Sequence, residues 1–321
     1  MFFNSNQKLF DAEWHLYVAK FKHIVGFKSL SLNLKHPKTQ KSAAPHECIP
    51  EVYQEWQNIK SPWDRQSLLF SVIYDLVGEY MKPWQLANYL VADRNPVEAF
   101  EIVREASSGS LGEDYPQHCA ALAKSLIALT YYEESLKWAK KACEAEPKNS
   151  QFKIILADAY FLDGNHNEAN KIYESRISLI PPSDSDSISD MFSVTFAFDT
   201  GVLPSPIFAI RLGKQLSDPR QSEKFWELAE TEFYYSHYFR LHHAYYLTSQ
   251  GKKQECLAKL ITLVQEMPWL EEASLSLNNL FECFNQAGNK FMPEFQEQLS
   301  QKIQNCGWIG EKMFVLDVSN K

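Results

Sequence analysis

Glycine is scarce in this chain of 321 residues, numbering only 11. That shortage argues against the turn-rich strands of a β-sandwich and against glycine-rich phosphate loops, and it favours helices packed by large side chains. Uninterrupted apolar runs are also missing. The most apolar stretch, LLFSVIYDLV at 68–77, is too short to span a bilayer and contains Asp75, and the N-terminus has no apolar core of signal-peptide length. Six cysteines (Cys48, Cys119, Cys143, Cys256, Cys283, Cys306) are scattered with no CxxC pair, the pattern of reduced thiols in a cytoplasmic protein. No HExxH, GxSxG, P-loop or dinucleotide fingerprint occurs, so no catalytic set, metal or cofactor is expected. Net charge is −8, which disfavours nucleic acid as a partner because phosphates call for a basic surface. The charge is segregated: residues 1–45 hold seven lysines against Asp11 and Glu13.

What is present is hydrophobic material, 45% of the chain, arranged with a long period. The segment YYEESLKWAKKACEAEP, 131–147, ends at Pro147, and another proline stands 34 residues on, at 181. Superimposing the two aligns Leu122 with Leu156, Ala123 with Ala157, Leu126 with Tyr160, Ser135 with Ala169 and Ala139 with Tyr173. Each unit reads as two helices, with small residues where the pair approaches closely and a proline that cannot continue the second helix. One pair alone buries too little apolar surface, so the units must stack.

Units at 116–149 and 150–183 show this pattern most clearly. A unit at 237–270 carries Ala244, Leu247, Gly251, Cys256, Leu260 and Pro268, and one at 80–115 carries Leu86, Ala87, Leu90, Ala99, Val103 and Ala106. The period, LAxxL/Y in the first helix, YEES and NEA opening the second, and the closing proline resemble the tetratricopeptide repeat family. That resemblance implies an all-α fold: a right-handed α-solenoid of stacked helix hairpins with atypical ends. The organisation expected is an amphipathic helix and extended segment (1–48), a helical cap (49–79), three units (80–183), degenerate helices after an acidic linker (184–236), a unit at 237–270, and a helical hairpin and tail (271–321).

Around the repeat, Phe10, Trp14, Tyr17, Phe21 and Ile24 form one helical stripe, read as a cap or as a membrane- or partner-binding face. SLSLNLK (29–35) alternates with period two, and MFVLDV (313–318) is β-prone, so both read as strands. HEC (46–48) reads as loop. In YYSHYFRLHHAYY (234–246), His237, His242 and His243 stand at offsets of five and six, which suits aromatic packing with a partly exposed histidine better than a metal site.

The family resemblance also implies that first helices line a concave face. It places Trp84, Asn88, Val91, Lys124, Ile127, Ile154, Asp158, Phe161, Tyr238, Leu241 and Tyr245 there as a mixed-to-apolar groove. Of the carboxylate clamp used by one subfamily only Asn88 matches, since Trp84, Ala121 and Ile155 stand where a lysine, an asparagine and an arginine are needed, so such a clamp is not expected. The groove therefore suits an apolar partner helix or peptide, and the chain reads as a non-catalytic protein-interaction scaffold or adaptor. Two rival readings are an enzyme or regulatory subunit using the 234–246 cluster, and a homotypic assembly protein.

Overall fold

A computed structural model describes residues 3–107, 112–177, 205–216, 219–289 and 291–308. Its sixteen α-helices pack in neighbouring pairs, and no strand occurs among the described residues. The chain divides into two compact units, 1–205 with 227–232, and 206–226 with 233–321. The acidic linker at 181–190 and MFVLDV lie outside the described residues.

In the first unit, α1 (Phe3–Val25), α2 (Pro45–Cys48), α3 (Pro50–Asn58) and α4 (Pro62–Val77) precede three hairpins. These are α5 (Pro83–Ala92) with α6 (Pro96–Ala106), α7 (Tyr115–Ala128) with α8 (Tyr132–Ala145), and α9 (Ser150–Leu162) with α10 (His166–Ile177). α11 (Pro206–Gln215) and α12 (Pro219–Phe233) follow; then come the hairpins α13 (His237–Ser249) with α14 (Lys253–Glu266) and α15 (Glu271–Gln286) with α16 (Pro293–Cys306). Local chemistry sets several helix starts. The Asn95, Asn149 and Ser236 side chains accept amide protons at the starts of α6, α9 and α13. Prolines open α5, α6 and α16, where a missing N–H costs nothing.

One turn recurs in all five hairpins. Arg94, Thr130, Gly164, Gly251 and Gly288 each adopt positive φ, between 64° and 85°. In each, the following amide closes a 6→1 bond: Asn95 to Leu90, Tyr131 to Leu126, Asn165 to Tyr160, Lys252 to Leu247 and Asn289 to Phe284, at 2.7–2.9 Å. This is a Schellman ending, which consumes carbonyls that a helix end leaves unpaired. The register of the interior repeats as well. Ala87, Ala123, Ala157 and Ala244 in the first helices, and Ala99, Ser135, Ala169 and Cys256 in the second, are at most 1% exposed. Only small side chains fit where paired helices come this close.

Thr130 is the β-branched residue among the five turn positions, and left-handed backbone is costly for such a side chain. Thr130→Gly is expected to raise unfolding stability by about 1 kcal/mol, a figure that nets the relieved strain against glycine's looser unfolded chain. A denaturant midpoint that falls would show that Thr130 makes a contact worth more than the strain.

The stripe on α1 is core. Phe10, Trp14, Tyr17 and Phe21 are buried against α3, α4 and α5, with ring centroids 5.4 Å apart for Phe10–Trp56, Phe21–Phe70 and Phe21–Tyr89; Ile24 is half-buried, and it is Val25 that completes the buried face. The Trp56 indole donates to Glu13 at 2.7 Å, anchoring α1 to α3. The HEC segment is one helical turn rather than loop, because its His46 ring and amide both bond the Asp11 carboxylate of α1, at 2.8 and 3.0 Å. SLSLNLK is extended but is not a strand. Leu30, Leu32 and Leu34 alternate inward onto the core as their pattern demands, but the backbone pairs only at an isolated Lys35–Ser42 bridge. Period two records which side chains face inward, and a helical neighbour offers no sheet edge to pair with.

Candidate partner-binding site

The first-unit groove positions are set by α5, α7 and α9. Asn88, Lys124 and Asp158 occupy one register position in three consecutive hairpins, at offsets of 36 and 34. The structure joins the first two directly, since the Lys124 ammonium donates to Asn88 Oδ1 at 3.3 Å. Asn88 in turn donates to the Val25 carbonyl at the end of α1, at 3.5 Å. Asp158 accepts from the Tyr173 hydroxyl of α10, and the Ser205 side chain also bonds it.

Burial pushes the Lys124 amine down to about 8, with Asp158 opposing that shift. Burial also lifts the Asp158 carboxyl to about 7, against the hydrogen bonds from Tyr173 and Ser205 and the charge of Lys124. Low-polarity surroundings disfavour both charges; Asp158 offsets this for Lys124, while for Asp158 the Tyr173 and Ser205 hydrogen bonds offset it first and Lys124 last. Near neutral pH Lys124 is therefore still mostly protonated and Asp158 partly ionised, so the row carries opposed charges and little net charge.

Flanking it, Val91, Ile127 and Phe161 share a second register position and are all half-buried. The Phe161 ring lies 4.7 Å from His166. Trp84 packs over Gly26, where an added Cβ would stand 2.8 Å from the indole ring and where φ is 86°. Its indole N–H is buried and meets no acceptor among the described residues. Ile154 is buried.

In the second unit Leu241 is buried, Tyr238 stacks edgewise on His242 at 4.5 Å, and the Tyr245 hydroxyl bonds Ser276 of α15 at 3.0 Å. Burial raises the Tyr238 phenol to about 12 and the Tyr245 phenol further.

These side chains do not form an exposed apolar strip. Asn88, Ile154 and Leu241 are buried, the other groove positions are half-buried, and none belongs to the exposed large hydrophobics. The cause is local. The end of α1 covers Trp84 and Asn88, and α5, α7 and α9 pack closely enough to shade one another's side chains. Sequence reasoning placed Asn88, Lys124 and Asp158 in the lining without joining them into a row. The signal was available in their spacing.

The histidine cluster is likewise different in detail. His237, His242 and His243 are all buried, so the partly exposed member is absent. His243 stacks on Trp226 of α12 at 5.6 Å, and His242 lies 5.5 Å from Tyr245. Burial drives His237 down to about 4 and His242 to about 3. No group of three or more His, Cys, Asp or Glu side chains among the described residues is arranged to hold a metal ion. All six cysteines are free thiols. No described helix is long and apolar enough to cross a membrane. No family model matches the chain, and a search of curated proteins returns no relative.

Proposed function

We propose that this chain is a non-catalytic scaffold or adaptor, built as a tetratricopeptide-like right-handed α-solenoid, that holds a partner helix or peptide along the first helices of its N-terminal hairpins. The observation that carries the reading is the pair of aligned rows. Half-buried Val91, Ile127 and Phe161 repeat at one register position, beside Asn88, Lys124 and Asp158 at another. A repeated apolar row beside hydrogen-bonding groups fits a partner segment that offers apolar anchors together with backbone polar groups. The recurring Schellman turn and the small-residue register support the family resemblance independently of the groove.

With Lys124 and Asp158 opposed in sign, binding is expected to change little with salt, unlike that of a carboxylate clamp. Ile127→Ala and Phe161→Ala are each expected to weaken the complex by about 1–3 kcal/mol while leaving helical content intact. The test is capture from native extract, with the captured partner identified by mass spectrometry and its affinity measured for wild type and the double variant. Equal affinity for the folded double variant would move the site away from α7 and α9. A second copy of the chain as the captured partner would favour homotypic assembly.

A further inference from the structure

The segment between Glu13 and Glu47 contains no acidic residue and no arginine, yet it holds six of the chain's lysines. Of these, Lys20 is buried and Lys22 half-buried, while Lys28, Lys35, Lys38 and Lys41 are exposed. The last three stand on a structured loop. The His36 amide bonds the Lys41 carbonyl at 2.9 Å, and the Gln40 amide bonds the His36 carbonyl at 2.9 Å. The amides of Lys38 and Thr39 donate to the His36 ring at 3.1 and 3.3 Å. Leu30, Leu32 and Leu34 face the core, so the outward side of this stretch presents ammonium groups without an apolar anchor.

The nearest carboxylates in sequence are held by other partners. Asp11 bonds His46, Glu13 bonds Trp56 and Arg65, and Glu47 bonds the Ala44 amide. Among the described residues Lys28, Lys35, Lys38 and Lys41 form no ion pair, on a chain whose net charge is −8.

We propose that the 28–41 loop is an electrostatic docking surface for an anionic phospholipid membrane. Its chemistry is lysine alone. Carboxylates on a protein partner are best met by the bidentate fork of arginine, which is absent here, whereas compact ammonium charges suit a plane of phosphate and serine headgroups. Nucleic acid fits less well, because no exposed aromatic side chain on the loop is available to stack a base. Charge in the rest of the chain is screened beyond about 8 Å at physiological ionic strength, so a local basic face acts on what lies directly against it. Each lysine near an anionic leaflet contributes about fivefold in partitioning, so four together contribute several hundredfold.

The full chain is expected to co-sediment with phosphatidylcholine vesicles containing phosphatidylserine, to ignore vesicles of phosphatidylcholine alone, and to be released by high salt. The variant K28Q/K35Q/K38Q/K41Q should lose roughly a hundredfold or more in partitioning at an unchanged melting temperature. The comparison variant K140Q/K141Q/K148Q/K153Q changes net charge equally at four other exposed lysines and should bind as wild type. Absence of binding to phosphatidylserine vesicles, equal loss in both variants, or binding to polyglutamate but not to vesicles each overturns the proposal.

Discussion

Lys20→Met is expected to destabilise the first unit by about 3–5 kcal/mol. Lys20 of α1 and Glu232 of α12 form an ion pair at 3.6 Å, with side chains 3% and 1% exposed. Desolvation lowers the lysine and raises the carboxyl, and each is partly restored by the charge of the other. Removing the ammonium leaves a carboxylate that has given up water and lost its counter-charge, which is where the cost arises.

The cost depends on pH, with a determinate sign. A carboxyl whose folded pKa lies above its unfolded value holds more protons when folded, so its penalty is small below the unfolded value near 4.5 and grows as pH rises through the folded one. Lys20→Met should therefore be less damaging at pH 5 than at pH 8. Lys20→Met/Glu232→Met removes both charges and is expected to regain most of the loss. Urea titrations of the two variants decide the matter. A single substitution costing under about 1 kcal/mol would mean that water reaches the pair.

That pair illustrates what the sequence hid. The stripe of Phe10, Trp14, Tyr17 and Phe21 predicts a buried face on α1, but nothing in the period announces that Lys20, in the same face, finds a carboxylate more than two hundred residues away. The hairpins were legible for the opposite reason, because their determinants are local. Small residues recur at a fixed offset, and Gly164 and Gly251 mark turns whose backbone requires left-handed φ. Arg94 and Thr130 make the same turn without a glycine, so composition alone could not reveal it; spacing could.

For the proposed partner-binding positions the sequence predicts a register but not how exposed each side chain is. Register places Trp84 and Asn88 in a lining, but only the fold brings Val25 and Gly26 against them. For SLSLNLK the alternation predicts a strand, and the structure keeps only its division into inward and outward side chains. A strand additionally needs a partner edge, which is a tertiary fact.

The second unit should lose stability steeply in mild acid. His237 and His242 are 3% and 6% exposed, and burial, assisted by Arg240 for the first and Lys214 for the second, holds them neutral down to about pH 4 and 3. Unfolded imidazoles protonate near pH 6.5, so below that pH the unfolded chain binds more protons than the folded one. Stability is full above pH 6.5 and falls as pH drops toward the folded values. By pH 4.5 each histidine is expected to remove about 2–3 kcal/mol, a large share of the stability of an ordinary domain.

No carboxylate bonds either ring among the hydrogen bonds of the described residues, and the surroundings, Tyr238 and Tyr245 against His242, cannot stabilise the imidazolium through a counter-charge. His237→Gln/His242→Gln replaces both with groups that do not titrate. The variant is expected to be less stable at pH 7, because glutamine packs less well among these rings, but to lose far less between pH 7 and 4.5. Urea midpoints at the two pH values give the comparison, and ring NMR signals that stay in the neutral form at pH 4.5 would locate the effect in these two side chains. If wild type and variant lose stability in parallel, carboxylates elsewhere govern the acid transition, and the α13 rings have a route to water that their burial denies.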